Sequence, residues 1–288
     1  MEYCDILIIG AGAAGIAAAK AAFSAGCESI VLVDRKSRMG GVLLQCAHDG
    51  FGKNLTGPEY TNLLLEDFPE TIRWYPNTAV ISVSKQKTAV ISGRDTGRKA
   101  IGFSQLILAA GCREIPMGAL PIGGTRPRGI YTAGQMQEMM NLYGYIPQGP
   151  VVILGSGDLG LVMAKQIAHC GIGVTLVEQR DTCGGMARNR RCLEEYPISL
   201  RCGCTIREVC GEKYLEGVKT SDGGYIPCRT LLIAAGLRPE RELIRGMEDA
   251  PWIHICGNCN RVHPMVEAVV HEGRQAGMDA CRNLRGSL

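Results

Sequence analysis

The chain opens on an unbroken apolar run, Ile6–Ile9, followed at once by glycines at 10, 12 and 15 and an alanine-rich stretch to about Ser24. An apolar run without polar alternation predicts a strand buried on both faces of a parallel sheet. The alanine-rich stretch predicts a helix that stops at Gly26. A second apolar run, Ile30–Val33, predicts another buried strand and ends on Asp34. The same pattern returns at 151–178, VVILGSGDLGLVMAKQIAHCGIGVTLVE, with glycines at 155, 157 and 160 and an acid at Glu178. Gly40-Gly41 follows the first glycine motif and Gly184-Gly185 follows the second at nearly the same distance. The segments LILAAGCREIP (106–116) and LLIAAGLRPE (231–240) close the two halves.

Between these landmarks the period changes to two. TAVISVS and TAVIS flank KQK, and TIREV and LEGVKT flank CGEKY, with a turn at SDGG. Each half is therefore a strand–helix–strand unit with an inserted β-meander. The fold predicted is α/β: two Rossmann-like, three-layer nucleotide-binding domains. The first is discontinuous, 1–116 plus 241–288, and the second spans 117–240.

Strand, glycine turn, helix and terminal acid in this order form a dinucleotide cradle. Gly10 permits the tight turn, Gly12 lets a pyrophosphate approach the backbone, and Gly15 lets helix and strand pack closely. The helix N-terminus presents free N–H groups and a positive dipole to the phosphates. Asp34 can accept a ribose hydroxyl. In the second unit Gly155, Gly157, Gly160 and Glu178 take the same places. A carboxylate at Glu178 suits the 2′-hydroxyl of NAD and repels the 2′-phosphate of NADP, whereas Arg180 could pair with that phosphate.

Composition narrows the class. Across 288 residues the hydrophobic content is 46%, the charged content 20% and the net charge +3. That balance suits a globular protein and implies neither a nucleic-acid nor a membrane surface. The start, MEYCDILIIG, carries acids where a secretory signal would carry lysines. The longest apolar stretch, Ile6 to Ala19, is broken by glycine and too short to span a bilayer. The expectation is a cytoplasmic protein whose fourteen cysteines are mostly reduced, buried thiols.

With its two glycine motifs, its Ala-Ala-Gly strands at 109–111 and 234–236 and its segment HICGNCNRVHPMVEAVVHEGRQAG (254–277), the chain resembles the two-domain reductases of the pyridine nucleotide–disulfide oxidoreductase superfamily. The resemblance runs nearly end to end. It implies FAD in the first unit, held by Gly10, Gly12, Ala13, Ala14, Gly15, Asp34, Arg35, Gly40, Gly41, Val42, Ala110, Gly111, Gly257, Asn258, Met265 and Val266. It implies NAD(H) in the second, held by Gly155, Gly157, Asp158, Gly160, Glu178 and Gly236. Where the family usually has Gly-Asp, this chain has Gly257-Asn258, an amide without charge. The helix after Pro264 would aim its N-terminus at the flavin and stabilise its anionic reduced form.

The family's redox disulfide is missing from both usual places. GGVLLQCAHDGFG (40–52) holds Cys46 alone, and 129–150 holds no cysteine. These segments, with LTGPEY, GIYTAGQ and CGN-x5-HPMVE, resemble a narrower group: components of anaerobic glycerol-3-phosphate dehydrogenase and of amino-acid, opine and cyanide-forming oxidases. That resemblance implies electron transfer between nicotinamide, FAD and a partner, either another dehydrogenase subunit or a small electron-transfer protein. It implies an oligomer, and membrane association only through a partner. The chain is shorter than the family pattern between Glu242 and Trp252, with little room for the usual strands before the last flavin segment, a departure that bears on partner docking and dimerisation more than on flavin binding.

Two other readings stay open at this point. Cys46 and His48 could serve as thiol and proton-transfer groups near the flavin, or as a buried thiol and a hydrogen-bonded loop histidine. Cys46, or Cys256 and Cys259 cycling as a Cys-x-x-Cys pair, could also serve a self-sufficient NADH-dependent thiol, disulfide or oxygen reductase. The spacing His254, Cys256, Cys259, His263 also resembles a zinc set, but it falls on the flavin segment, so no metal site is expected.

Overall fold

The computed structural model describes residues 1–286, so the last two residues of the expected first domain lie outside the described residues. The chain separates into two compact units, Met1–Arg113 with Arg238 onward, and Glu114–Leu237. These divisions fall three residues before the boundaries expected from sequence.

In the first unit β1 (Glu2–Ile9) leads through the glycine turn into α1 (Ala13–Ser24) and then β2 (Ile30–Val33). The sheet runs Arg73–Tyr75, β2, β1, Gly97–Leu108, Thr88–Gly93, Thr78–Val83, with Ile253–Ile255 also paired to Gly97–Leu108. β1 is parallel to both neighbours, and Ile9 registers with Val33 on one side and Leu108 on the other. The first half of Gly97–Leu108 pairs antiparallel with Thr88–Gly93, which makes the meander.

Both faces of this sheet are covered, which explains the unbroken apolar run. Ile6, Ile8, Ile30, Leu32 and Ile107 pack with the alanines of α1 on one side. Leu7, Ile9, Val31, Val33, Leu106 and Leu108 pack with Ile91, Phe103 and Ile253 on the other. Because side chains alternate between faces, every position of a doubly covered strand must be apolar.

The second unit repeats the plan. β3 (Val151–Leu154) feeds α2 (Asp158–His169) and β4 (Val174–Val177). Five strands are ordered Ile130–Thr132, Thr230–Ile233, β3, β4, Ile198–Arg201, all parallel. A separate four-stranded sheet, Gly123–Gly124, Ile206–Cys210, Gly217–Thr220 and Tyr225–Pro227, is the inserted meander.

The chain closes with α3 (Val266–Gly286), which lies on α1 of the first unit. A Cβ on Gly273 or on Gly277 would come within 2.3 Å of the carbonyl oxygens of Ala14 and Ala18 respectively. The two helices therefore meet backbone to backbone, which fixes Gly273 of α3 beside the first turn of α1. Among the described residues no helix is long and apolar enough to cross a membrane.

Candidate functional site

The three glycines of each motif separate into two kinds. A Cβ at Gly10 would lie 2.3 Å from the Ala109 carbonyl oxygen, and one at Gly15 would lie 1.8 Å from that of Gly10. The second unit repeats this, with Gly155 against Ala234 at 2.4 Å and Gly160 against Gly155 at 2.2 Å. These four glycines are required by the protein's own packing. The middle glycines are not: a Cβ at Gly157 would meet nothing within 4 Å, and one at Gly12 only Gly41 Cα at 4.0 Å.

Gly12 and Gly157 are the N-caps of α1 and α2, and neither helix has a side-chain cap. Each unit therefore presents a helix N-terminus without a side-chain cap, beside a middle glycine whose missing side chain leaves space. That is the donor set and clearance a pyrophosphate needs.

The strand-end acids are also duplicated. Asp34 Oδ2 accepts the Ala11 N–H at 2.7 Å and Oδ1 accepts that of Lys36 at 2.8 Å. Glu178 Oε2 accepts the Ser156 N–H at 2.9 Å and Oε1 accepts that of Arg180 at 3.0 Å. In both units the carboxylate ties the residue after the first glycine to the residue two beyond itself. Glu178 goes further and accepts Ser156 Oγ–H at 2.6 Å and Arg180 Nε–H at 3.1 Å. Burial works to raise its pKa, but these four donors outweigh burial and bring it from 4.5 down to about 2.

A carboxylate offers about four acceptor positions. Asp34 has two to spare; Glu178 has none while Arg180 stays in place. The Glu178 side chain is 8% exposed, whereas that of Arg180 is 65% exposed and the more easily moved of the two.

Each Gly-Gly pair folds back on its own cradle. Gly40 donates to the Ala11 carbonyl at 2.8 Å, and Gly41 sits over Gly12. Gly184 donates to Ser156 Oγ at 2.8 Å, and Met186, just beyond Gly185, donates to Asp158 Oδ1 at 2.7 Å. Arg35 and Val42 are exposed beside the first cradle, and Ala13 and Ala14 form the buried first turn of α1. Ala110 and Gly111 follow Leu108 at the end of the long strand, and Gly236 occupies the matching turn of the second unit.

The last predicted segment also gathers at the first cradle. Gly257 has φ of +68°, and a Cβ there would lie 2.7 Å from that of Ala14. Asn258 uses its side-chain oxygen to accept the His263 N–H at 3.0 Å, so it staples the 258–263 loop. Met265 is 37% exposed and Val266 begins α3.

Sequence reasoning did not single out Glu272. Its Oε2 accepts the Gly257 N–H at 2.9 Å, and its Oε1 lies 2.9 Å from His263 Nε2. Burial works against its charge, but the hydrogen bonds from His263, Asn260 and Gly257 win and lower its pKa. The available signal was an acid in the first half of α3 beside Gly273. Ser156 was legible only as the hydroxyl that replaces Ala11 in the second motif.

The candidate thiols are buried. Cys46 is 8% exposed, its Sγ points at the Val42 carbonyl, and burial pushes its pKa to about 12. His48 packs its ring on Phe51 at 5.3 Å between centroids. Burial works against the thiolate, the form in which Cys46 would act as a nucleophile.

Cys256 and Cys259 are 1% and 0% exposed, and both thiols point at the Leu108 carbonyl oxygen. Burial raises both, against opposing N–H groups of Gly111 and Ala110 at Cys259. The zinc-like spacing is taken apart, because His254 bonds Gln105 and His263 meets Glu272. Among the described residues no group of three or more His, Cys, Asp or Glu could hold a metal ion.

A family profile described as pyridine nucleotide-disulphide oxidoreductase matches residues 4–252. Hydrogen cyanide synthase subunit HcnB of Pseudomonas protegens is 27% identical over 276 residues, covering 84% of this chain and 58% of that protein. An opine oxidase subunit of Rhizobium meliloti is 28% identical over 275 residues, covering 84% and 52%. The chain thus spans little more than half the length of these relatives. The crystal structure of thioredoxin reductase from T. acidophilum superposes with a TM-score of 0.80 over 99% of this chain and 100% of that one, at 19% identity, which is a likeness of fold.

Proposed function

Because the chain belongs to the pyridine nucleotide-disulphide oxidoreductase family, whose members use FAD and NAD(P)H, we propose that it carries FAD in the first unit and NAD(P)H in the second. It then acts as an electron-transfer component of a larger dehydrogenase or oxidase. The observation that carries this reading is the duplicated cradle: two open middle glycines, two uncapped helix N-termini and two strand-end carboxylates bonded alike.

FAD, when bound, supplies the two-electron acceptor for hydride from the nicotinamide. The rest falls to the chain's own residues. The N–H groups at the start of α1 would hold the pyrophosphate, and the spare acceptor positions of Asp34 would take ribose hydroxyls. Gly40, Gly41, Ala110, Gly111 and Gly257 leave room where side chains would intrude. In the second unit α2 holds the phosphates over Gly157. Glu178 would take the ribose with Arg180 displaced, and its carboxylate would favour NADH by repelling a 2′-phosphate.

Partner-linked electron transfer is favoured over self-sufficient thiol chemistry by the burial of Cys46, Cys256 and Cys259. The names of two relatives, subunits of hydrogen cyanide synthase and opine oxidase, support a multi-component setting for this chain. Titration of the apoprotein with FAD, followed by the change in flavin absorbance and fluorescence, tests the first unit. Saturation at one FAD per chain is expected. A Gly12→Asp chain that folds and still takes up FAD equally well would overturn the assignment.

A further inference from the structure

Arg241 has no place among the cofactor residues assigned above, yet its guanidinium reaches the loop that follows Gly257. Nε donates to the Cys259 carbonyl at 2.5 Å. Nη2 donates to the Asn260 carbonyl and, at 3.2 Å, to the Asn260 side-chain oxygen. The amide nitrogen of that side chain lies 3.4 Å from both oxygens of Glu272, and Glu272 holds the Gly257 N–H at 2.9 Å. One guanidinium therefore grips the far end of a turn whose near end, Gly257, packs on Ala14 in the first turn of α1.

The residue before Arg241 serves the other turn assigned to the flavin, because the Glu240 N–H donates to the Gly111 carbonyl at 3.0 Å. Cys259 joins the two turns: its thiol lies 2.9 Å from the Leu108 carbonyl oxygen, and its own carbonyl is taken by Arg241. The segment that carries Arg241 is anchored in turn, since Ile244 is fully buried in the same core cluster as Cys259 and Ile253. The neighbouring carboxylates, Glu240 and Glu242, are both engaged by Arg113. The charge of Arg241 is thus directed at three neutral oxygens of the loop. A charged donor makes stronger hydrogen bonds than a neutral one, and the planar guanidinium fork holds several acceptors at once in fixed geometry.

We propose that Arg241 is the positioning residue of the flavin loop: by holding the carbonyl oxygens of Cys259 and Asn260 it fixes residues 257–260 in the shape that FAD binding requires. The inference rests on the assignment of FAD to the first unit. Arg241 acts on the cofactor through Gly257 and Asn258. Without it, two carbonyl groups and one amide oxygen of the loop lose their donor, and the turn is held at the Gly257 end alone.

Two measurements on the full chain test this. The first needs no flavin: hydrogen–deuterium exchange of wild type and Arg241→Ala, read by mass spectrometry on peptides covering residues 256–262. Exchange there is expected to quicken by at least about tenfold while β1 stays protected. The second is FAD affinity, followed by the change in flavin fluorescence. Arg241→Ala is expected to bind FAD at least about tenfold more weakly. Ethylguanidinium added to the variant restores most of that loss, and ethylammonium does not. Arg241→Lys keeps the charge without the fork and falls between wild type and Arg241→Ala.

Unchanged loop exchange in Arg241→Ala overturns the proposal, as does an FAD affinity within about twofold of wild type. A loss of affinity that ethylguanidinium leaves untouched also overturns it, because a general lesion is not mended by the missing group. If Arg241→Ala does not fold, Arg241→Lys decides: faster loop exchange with weaker FAD binding supports the proposal, and either reading unchanged overturns it. A wild-type chain that takes up no FAD overturns the assignment of the first unit, and this inference falls with it. Wild-type uptake matched by Arg241→Ala overturns this inference alone.

Discussion

Glu178 accepts the backbone N–H of Ser156 at 2.9 Å and its hydroxyl at 2.6 Å, so one buried carboxylate closes the turn of the second cradle. With Arg180 completing its shell, its pKa falls to about 2, against 4.5 ordinarily. A folded-state pKa below the unfolded one stabilises the fold above the unfolded value, and that stability is lost as pH falls through the folded value. The contribution is therefore full above about pH 5 and disappears toward pH 2. Denaturant unfolding of wild type and Glu178→Gln should differ at pH 7 by about 3 kcal/mol more than at pH 2. Equal differences at the two pH values would contradict this role for the carboxylate.

Arg180 occupies the acceptor positions of Glu178 that a ribose would need. Arg180→Ala should release them and tighten ADP binding by about fivefold, while weakening 2′,5′-ADP, which loses the cationic partner beside Glu178. Calorimetry with the two nucleotides reads both effects without turnover. Weaker ADP binding in the variant would show that the guanidinium contributes directly to the site.

The two kinds of glycine should respond oppositely to one added methyl. At Gly12 and Gly157 the backbone is extended and the space is open. Alanine at either position should change stability by no more than about 1 kcal/mol, yet lower affinity for its dinucleotide by at least about tenfold. At Gly15 the methyl meets the Gly10 carbonyl, and Gly15→Ala should destabilise the first unit by about 3 kcal/mol or more. Thermal unfolding alongside FAD titration separates the two classes.

Burial of the cysteines predicts their alkylation order. Cys170 is exposed and should react first with a maleimide in the native chain, whereas Cys46, Cys256 and Cys259 should react only on unfolding. Mass mapping of the labelled sites checks this. Rapid native labelling of Cys256 or Cys259 would reopen the thiol-reductase reading.

The fold was legible because its signals are local and repeated. Ile6–Ile9 and Ile30–Val33 are apolar at every position because both sheet faces are covered, and the glycines mark turns that only they can make. The candidate site was half legible. The places of Gly12 and Gly157 at the helix starts could be read from spacing, since each follows a strand and precedes a helix. The burial of Cys46 and the Cys256–Cys259 pair could not, because burial depends on strands and helices distant in sequence. The pairing of His263 with Glu272 was hidden for the same reason: a loop and a helix meet through Gly257, whose conformation is set by packing on Ala14. The full coordination of Glu178 was hidden too, since it depends on a serine twenty-two residues away.

Two cradles that hold dinucleotides must exchange a hydride for this chain to act as proposed. The most direct test is anaerobic addition of NADH or NADPH to the FAD-loaded chain while the flavin's visible absorbance is followed. Bleaching of that band, with NADH the faster donor, is the predicted result. A chain that binds both FAD and the nicotinamide nucleotide, yet whose flavin spectrum stays oxidised, would contradict the account.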